Sequence, residues 1–426
     1  MSNRTLIRAV RGLRVWDSRG RPTIEAEVLL EGGGRGRAIA PAGASTGSAE
    51  ARDLRDGGAP FGGQDVTRAL ARLESLIAPA LAGLDASDQA LVDRCLIELD
   101  DTPMKARLGA NAMVAVSMAV AQAAALAAGE PLWRYLRAEG AELPLPEIQI
   151  FGGGAHAARR VDVQDFMVVC PGAATFAECL DWTAEVYRAA GELMAEAGIL
   201  QGVADEGGFW PAFETNEEAL ALLVRAIERA GRRPGEEVAI SLDVAASEFG
   251  RQGRYSLGLE GQERDSDGLI AVLDGWLARY PIRLIEDPLG EDDPDGFARF
   301  SEVAAGRCRV VADDLTVTEA GRVQAMAARG AADTLLIKPN QRGTLTEARE
   351  AWDAARAAGW SGIVSARSGE SEDTTIVHLA VGWGVPMLKV GSFARSERMA
   401  KWNEGLRIAR ELGADARLAR PFAEPR

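Results

Sequence analysis

Lysine and histidine are the scarce residues of this chain. Of its 426 residues 48 are basic, yet only Lys105, Lys338, Lys389 and Lys401 are lysines, and histidine occurs only at His156 and His378. In a composition so far shifted toward arginine, a surviving lysine marks a position where the flat guanidinium is a poor substitute. Cysteine is also sparse. Cys95, Cys170, Cys179 and Cys308 form no CxxC pair, which favours reduced thiols in a cytoplasmic protein over a disulfide scaffold. Positive charge is in deficit, with 63 acidic residues and a net charge of −15, which argues against nucleic acid or an anionic membrane as partner. The opening MSNRTLIRAVRGLRVW has no apolar core of signal-peptide length. No GxGxxG follows a strand, so nothing supports dinucleotide binding. One uncharged stretch, 108–129, is long enough to cross a bilayer. It consists mostly of alanine, with Asn111, Ser117 and Gln122, and reads as a buried helix in close contact with a neighbour.

Apolar material is plentiful, at 47% of residues, enough to fill more than one core. The segment TIEAEVLL (23–30) alternates apolar and polar residues as a half-buried strand does. A glycine turn and a second short strand, GRAIAP, follow, then a loop at 42–58 and helices near 66–81, 85–99 and 109–128. This predicts an N-terminal α+β domain over 1–140. From 141 to 426 short apolar runs alternate with helical stretches at a spacing of about 25 residues: VAISLD (238–243), IRLIED (282–287), CRVVADD (308–314), DTLLIKPN (333–340), SGIVSARS (361–368) and MLKVGS (387–392). With 161–169 and 201–207 these make eight strands, the number that closes a parallel, TIM-like βα barrel. A doubly wound open sheet is the alternative.

The chemistry lies at the strand ends, which in such a barrel share one face. Asp243, Glu286 and Asp313 close three successive strands. Single acids there are commonly helix caps, but three together repel one another unless a cation sits among them, and an all-oxygen set suits Mg²⁺ rather than zinc. The following strands end in Lys338, Arg367 and Lys389, cations suited to a small phosphorylated carboxylate. A lysine crowded by metal ions and other cations loses its proton more readily and can act as a base. Glu206, in ADEGGF, supplies a candidate acid. A base on one side and an acid on the other suits proton abstraction next to a carboxylate, then loss of a leaving group.

These residues sit in segments that resemble the enolase family over about residues 6–412. The matching stretches include DSRGRPTIEAEV (17–28), GASTGSAEARDLRDG (43–57), DEGGF (205–209), LDVAASEF (242–249), IEDPLGEDD (285–293), LIKPNQRGTLTEA (336–348) and ARSERMAKWN (394–403). The resemblance implies two Mg²⁺ ions, one held by Asp243, Glu286 and Asp313 and one by Ser45 in a loop that closes over substrate. It further implies Lys338 as the base at C2, Glu206 as the acid that helps hydroxide leave C3, and Lys389 beside the substrate carboxylate. Arg367 and Ser368 correspond to phosphate contacts, His156 to a loop histidine near the substrate, and Gln164 and Asp165 to the family's QEF motif. Family members are generally homodimers through the small domain.

The departures fall inside the site. The family's SHRSGE reads Ser365-Ala366-Arg367-Ser368-Gly369-Glu370, so a histidine has become Ala366. NGGSHA reads Gly152-Gly153-Gly154-Ala155-His156-Ala157, and the glycine of GDEGG has become Ala204. Loss of the ring at 366, with Asn to Gly and Ser to Ala in the loop, implies a roomier pocket. It points to a specialised member acting on a modified phosphoryl group, as in formation of carboxyphosphonoenolpyruvate for phosphinate antibiotics. The alternative is a glycolytic enolase making phosphoenolpyruvate from 2-phosphoglycerate. A non-catalytic binding relative stands third, because the metal and base positions are intact.

Overall fold

The computed structural model describes residues 3–136 and 142–422; the expected domain boundary at 140/141 lies outside the described residues. Strands Ile7–Trp16, Pro22–Leu30 and Arg35–Ile39 form an antiparallel meander. The second and third are those expected from the alternation, and the first is additional. Ile24, Ala26, Val28 and Leu30 are fully buried, and their strand packs on helix Ala110–Ala128. That helix is the uncharged stretch; it is long and apolar enough to cross a membrane, yet most of it is buried inside the protein. Small side chains set how close it lies. A Cβ added to Gly36 would stand 1.9 Å from the Ala119 carbonyl oxygen and 2.4 Å from the Ala123 nitrogen, so strand and helix touch backbone to backbone.

The C-terminal part is a closed eight-stranded barrel in the order Leu145–Gly152, Asp165–Val169, Ala239–Asp243, Ile282–Glu286, Arg309–Ala312, Thr334–Ile337, Ser361–Ser365 and Met387–Ser392. Three of its helices begin where the chain offers a threonine followed three residues later by glutamate. Thr175, Thr215 and Thr344 each accept the amide of Glu178, Glu218 or Glu347, satisfying an amide that the first turn leaves free.

Two expectations need correction. The segment 201–207 is not a barrel strand: Val203 and Phe209 make only isolated bridges, and Phe209 pairs with Phe151 at the end of the first barrel strand. The strand that takes its place, Leu145–Gly152, is wholly buried but carries Glu147 and Gln149. Those polar residues break the apolar run that marks the other strands, and they are tolerated because Ser241 donates to Glu147 and Gln149 donates to Asp165. The barrel is also not fully parallel. Asp165–Val169 runs antiparallel to both neighbours, so its first residues, rather than its last, stand at the face where the other strands end.

Candidate active site

The three acids converge as expected. Asp243 and Glu286 are cross-strand partners, Asp313 follows the next strand directly, and all three are buried. The two lysines neutralise them. Lys389 Nζ donates to Asp243 Oδ2 (2.9 Å) and Glu286 Oε2 (2.7 Å) and lies 3.5 Å from Asp165 Oδ2; Lys338 Nζ donates to Asp313 Oδ2. Burial and the neighbouring Asp243 still push Glu286 well above the ordinary carboxylate range. Burial works against the charge on Lys389, but the carboxylates of Asp243, Glu286, Asp165 and Glu147 outweigh it and hold the ammonium well above its usual value. Lys338 behaves the same way. Burial lowers its proton affinity and Arg367 and Lys389 oppose its charge, but Asp313 reverses the balance, leaving it raised. With Asp313 as its partner, Lys338 therefore holds its proton.

The opposite wall comes from the reversed strand and two loops. Gln164 and Asp165 stand beside Asp243 because their strand runs backwards; Gln164 Nε2 donates to Asp243 Oδ2 at 3.1 Å. His156 lies on the short turn Gly154–Ala157. Its Nε2 is 3.8 Å from both Asp165 Oδ2 and Glu206 Oε1, and its Nδ1 is 3.2 Å from Ser368 Oγ. Glu206 reaches the site on the folded-back loop, tied by its carbonyl to the Ser392 amide at 3.0 Å. Burial pushes Asp165 up to about 7, against the pull of His156 and Lys389. Glu206 is equally buried, but His156, Arg398 and Lys389 hold it below the usual range. Of the two carboxyl groups, Asp165 therefore has the higher proton affinity.

Arg367 closes the third side. Its guanidinium donates to Glu50 Oε2 (3.0 Å), Asn340 Oδ1 (3.1 Å) and the Ser45 carbonyl (2.9 Å), and the Ser48 amide donates to Glu291 Oε2 (3.0 Å), so the 43–48 loop is fastened to the barrel at two points. The cavity is small, with about 20 Å³ of water-sized space, and is lined by every expected site residue except Glu286 and Asp313, which hydrogen-bond Lys389 and Lys338.

The structure adds residues that the motifs do not single out. Gln341 Nε2 donates to Asp313 Oδ1 (2.9 Å) and Glu50 Oε1 (3.1 Å). Asp287 accepts the amides of Asp313 and Asp314. Buried Arg398 donates to the carbonyls of Arg367, Ser368 and Val390. The available signal for Asn340 and Gln341 is their position two and three residues after Lys338 in LIKPNQ. The roomier loop is not found. A Cβ on Gly152 would meet the Ala204 Cβ at 2.7 Å, so the alanine that replaces a family glycine at 204 fills the space that glycine leaves at 152. Neither Gly152 nor Ala155 lines the cavity, whereas Ala366 does. His378 binds the Trp133 amide (3.3 Å) and Glu404 (3.2 Å) away from the cavity, as expected of a structural histidine.

Residues 7–136 match the family model for the enolase N-terminal domain, and residues 140–422 that for the enolase C-terminal TIM barrel domain. The chain belongs to the enolase family. An enolase from Acidothermus cellulolyticus is similar at 46% identity over 422 residues, covering 99% of this chain and 98% of that relative. Membership makes this an enolase-type hydro-lyase.

Proposed function

We propose that this chain is an enolase that converts 2-phospho-D-glycerate to phosphoenolpyruvate. The observation that carries the reading is the joint placement of Lys338, Lys389, Arg367 and the His156–Asp165–Glu206 trio around one cavity above three buried carboxylates. The full-length similarity to an enolase supports it.

The acids suit a hard divalent cation: all donors are carboxylate oxygens, Glu286 Oε1 is buried without a hydrogen-bond partner, and cationic ammonium groups already bind among them. Asp243, Glu286 and Asp313 would hold one Mg²⁺, with Ser45 contributing to a second. Bound there, Mg²⁺ supplies positive charge that stabilises negative charge building on the substrate carboxylate.

The chain's own residues do the rest. Lys338 takes the C2 proton on Nζ. It becomes a base when the charges of Asp313 and Glu286 are both engaged by another cation, because burial, Arg367 and Lys389 all disfavour its ammonium form. The C2 electron pair forms the C2–C3 double bond as the C3–O bond breaks. The trio around Glu206 supplies the proton that turns the departing hydroxide into water, Asp165 having the higher proton affinity of its two carboxyl groups. Arg367 and Ser368 hold the phosphate, and Lys389 the carboxylate. A homodimer through the small domain is supported by Leu13, Trp16 and Phe61, large apolar side chains exposed there.

A second reading rests on Ala366, which presents only a methyl to the cavity beside Arg367. It is that of an enzyme specialised for a bulkier phosphoryl group, such as the precursor of carboxyphosphonoenolpyruvate. Turnover of 2-phosphoglycerate by the purified chain, with Mg²⁺ and then with a chelator, separates the two. Mg²⁺-dependent turnover of at least about 10 s⁻¹ supports the enolase. Turnover that stays negligible until Ala366→His is introduced refutes it in favour of the specialised reading.

A further inference from the structure

A second, larger cavity of about 400 Å³ adjoins the catalytic one. The two share Arg367 and are divided by the 43–48 loop. The wall is thin: a Cβ on Gly43 would lie 2.0 Å from Arg367 Nη2. In a chain with a net charge of −15, this basin is locally basic. Five arginines line it, Arg19, Arg21, Arg52, Arg55 and Arg367, against two acids, Glu50 and Asp53.

Both acids are already engaged. Glu50 is bound by Arg367 at 3.0 and 3.2 Å, and Asp53 by Arg55 at 2.8 Å. Arg19 is different. Its side chain is only 6% exposed, and its nearest carboxylate, Asp17, is 3.6 Å away. Nη2 donates to the Ala42 and Gly43 carbonyls (2.9 and 3.3 Å), but Nε and Nη1 have no hydrogen-bond partner. A buried guanidinium with idle donors is costly unless an anion completes it. Burial, together with Arg21 and Arg367, lowers its proton affinity despite Asp17. At the rim, the exposed side chains of Arg21 and Arg52 make no hydrogen bond or ion pair among the described residues.

We propose that this basin is a second anion site, built for the dianionic phosphate group of a small phosphate monoester, with Arg19 at its floor and Arg21 and Arg52 at its rim. Planar guanidinium groups match phosphate oxygens in pairs. The basin lies on the far side of Arg367 from the catalytic cavity, so one chain can hold an anion in each at the same time.

The test is a count of bound anions by isothermal titration calorimetry on the full chain with Mg²⁺, using inorganic phosphate and, separately, glycerol 2-phosphate. The native chain is expected to bind two equivalents of glycerol 2-phosphate. The Arg21→Gln/Arg52→Gln variant should bind one, or bind the second at least about tenfold more weakly, with turnover at saturating substrate unchanged. Both positions are exposed, so the substitutions leave the fold intact; the buried Arg19 is deliberately spared. One equivalent on the native chain overturns the proposal. So does a second equivalent that survives unaltered in the variant. A second equivalent seen with inorganic phosphate but not with the ester overturns the monoester assignment and leaves a site for the free ion.

Discussion

Replacing Lys389 with methionine keeps the length of the side chain and removes its charge. In the native protein the ammonium donates to Asp243 and Glu286 at 2.9 and 2.7 Å and stands 3.5 Å from Asp165. All of these groups are buried, so the variant keeps the carboxylates and loses the cation among them. Removing one partner of a buried ion pair costs about 3–5 kcal/mol. Two charge-assisted hydrogen bonds at about 1.5–3 kcal/mol each give a similar figure. For 426 residues the unfolding entropy near the midpoint is about 0.9 kcal/mol/K, so the expected fall in Tm is about 3–6 °C. Two conditions should shrink it. Saturating Mg²⁺ supplies another cation to the same carboxylates. Lowering the pH toward 5 lets Glu286, whose proton affinity is raised, take up a proton and shed its charge. Scanning calorimetry of both proteins in chelator, in Mg²⁺ and at pH 5 provides the comparison. An equal loss under all three conditions, or none in chelator, would refute the view that Lys389 serves as an internal counter-ion.

Three further outcomes are expected. Gly36→Ala places a Cβ against immovable backbone atoms of the central helix and should cost about 3 kcal/mol or more. Gly275→Ala, whose Cβ meets only an arginine tip at 4.0 Å, should be neutral or slightly stabilising; urea unfolding compares them. Asp165 is pushed from 3.8 up to about 7, chiefly by burial. The native state therefore binds a proton that the unfolded chain releases near pH 4, and this contribution to stability is lost as pH rises toward and past 7. The stability of the native protein should thus fall relative to Asp165→Asn between pH 5 and 8, by at most about 3 kcal/mol, with a corresponding fall in Tm, and parallel curves would contradict it. Ala366→His adds a ring to the wall of the catalytic cavity. If the native chain is already an efficient enolase, its kcat should change less than about tenfold in the standard assay, whereas a large rise would favour the specialised reading.

Much of the site was legible because strand ends in a barrel are forced to one face. Asp243, Glu286, Asp313, Lys338, Arg367 and Lys389 needed only the repeat spacing to be placed together. Glu206 was legible as a residue but not in its placement, because a folded-back loop rather than a strand delivers it. The strand at 145–152 was hidden by Glu147 and Gln149, polar residues whose burial is compensated only by partners distant in sequence. Strand direction is invisible to periodicity, so the reversal that brings Gln164 and Asp165 to the active face could not be read from spacing. Volume was misread at Gly152 for a related reason, since the compensating methyl of Ala204 lies 52 positions away in the chain but in contact in space. Asn340 and Gln341 follow Lys338 after a single proline, yet nothing local distinguishes a buried polar turn from a solvated one.

The most direct test of the central claim, a base at Lys338 and a proton-donating trio around Glu206 acting on one substrate, is exchange of the C2 hydrogen of 2-phosphoglycerate in deuterated water with Mg²⁺. Exchange and dehydration are followed together for the native chain, Lys338→Ala and Glu206→Gln. The native chain should do both, and Lys338→Ala should lose both by at least about a thousandfold. Glu206→Gln should keep exchange while losing dehydration. Exchange that persists in Lys338→Ala, or that disappears in step with dehydration in Glu206→Gln, would contradict the assignment of the two roles.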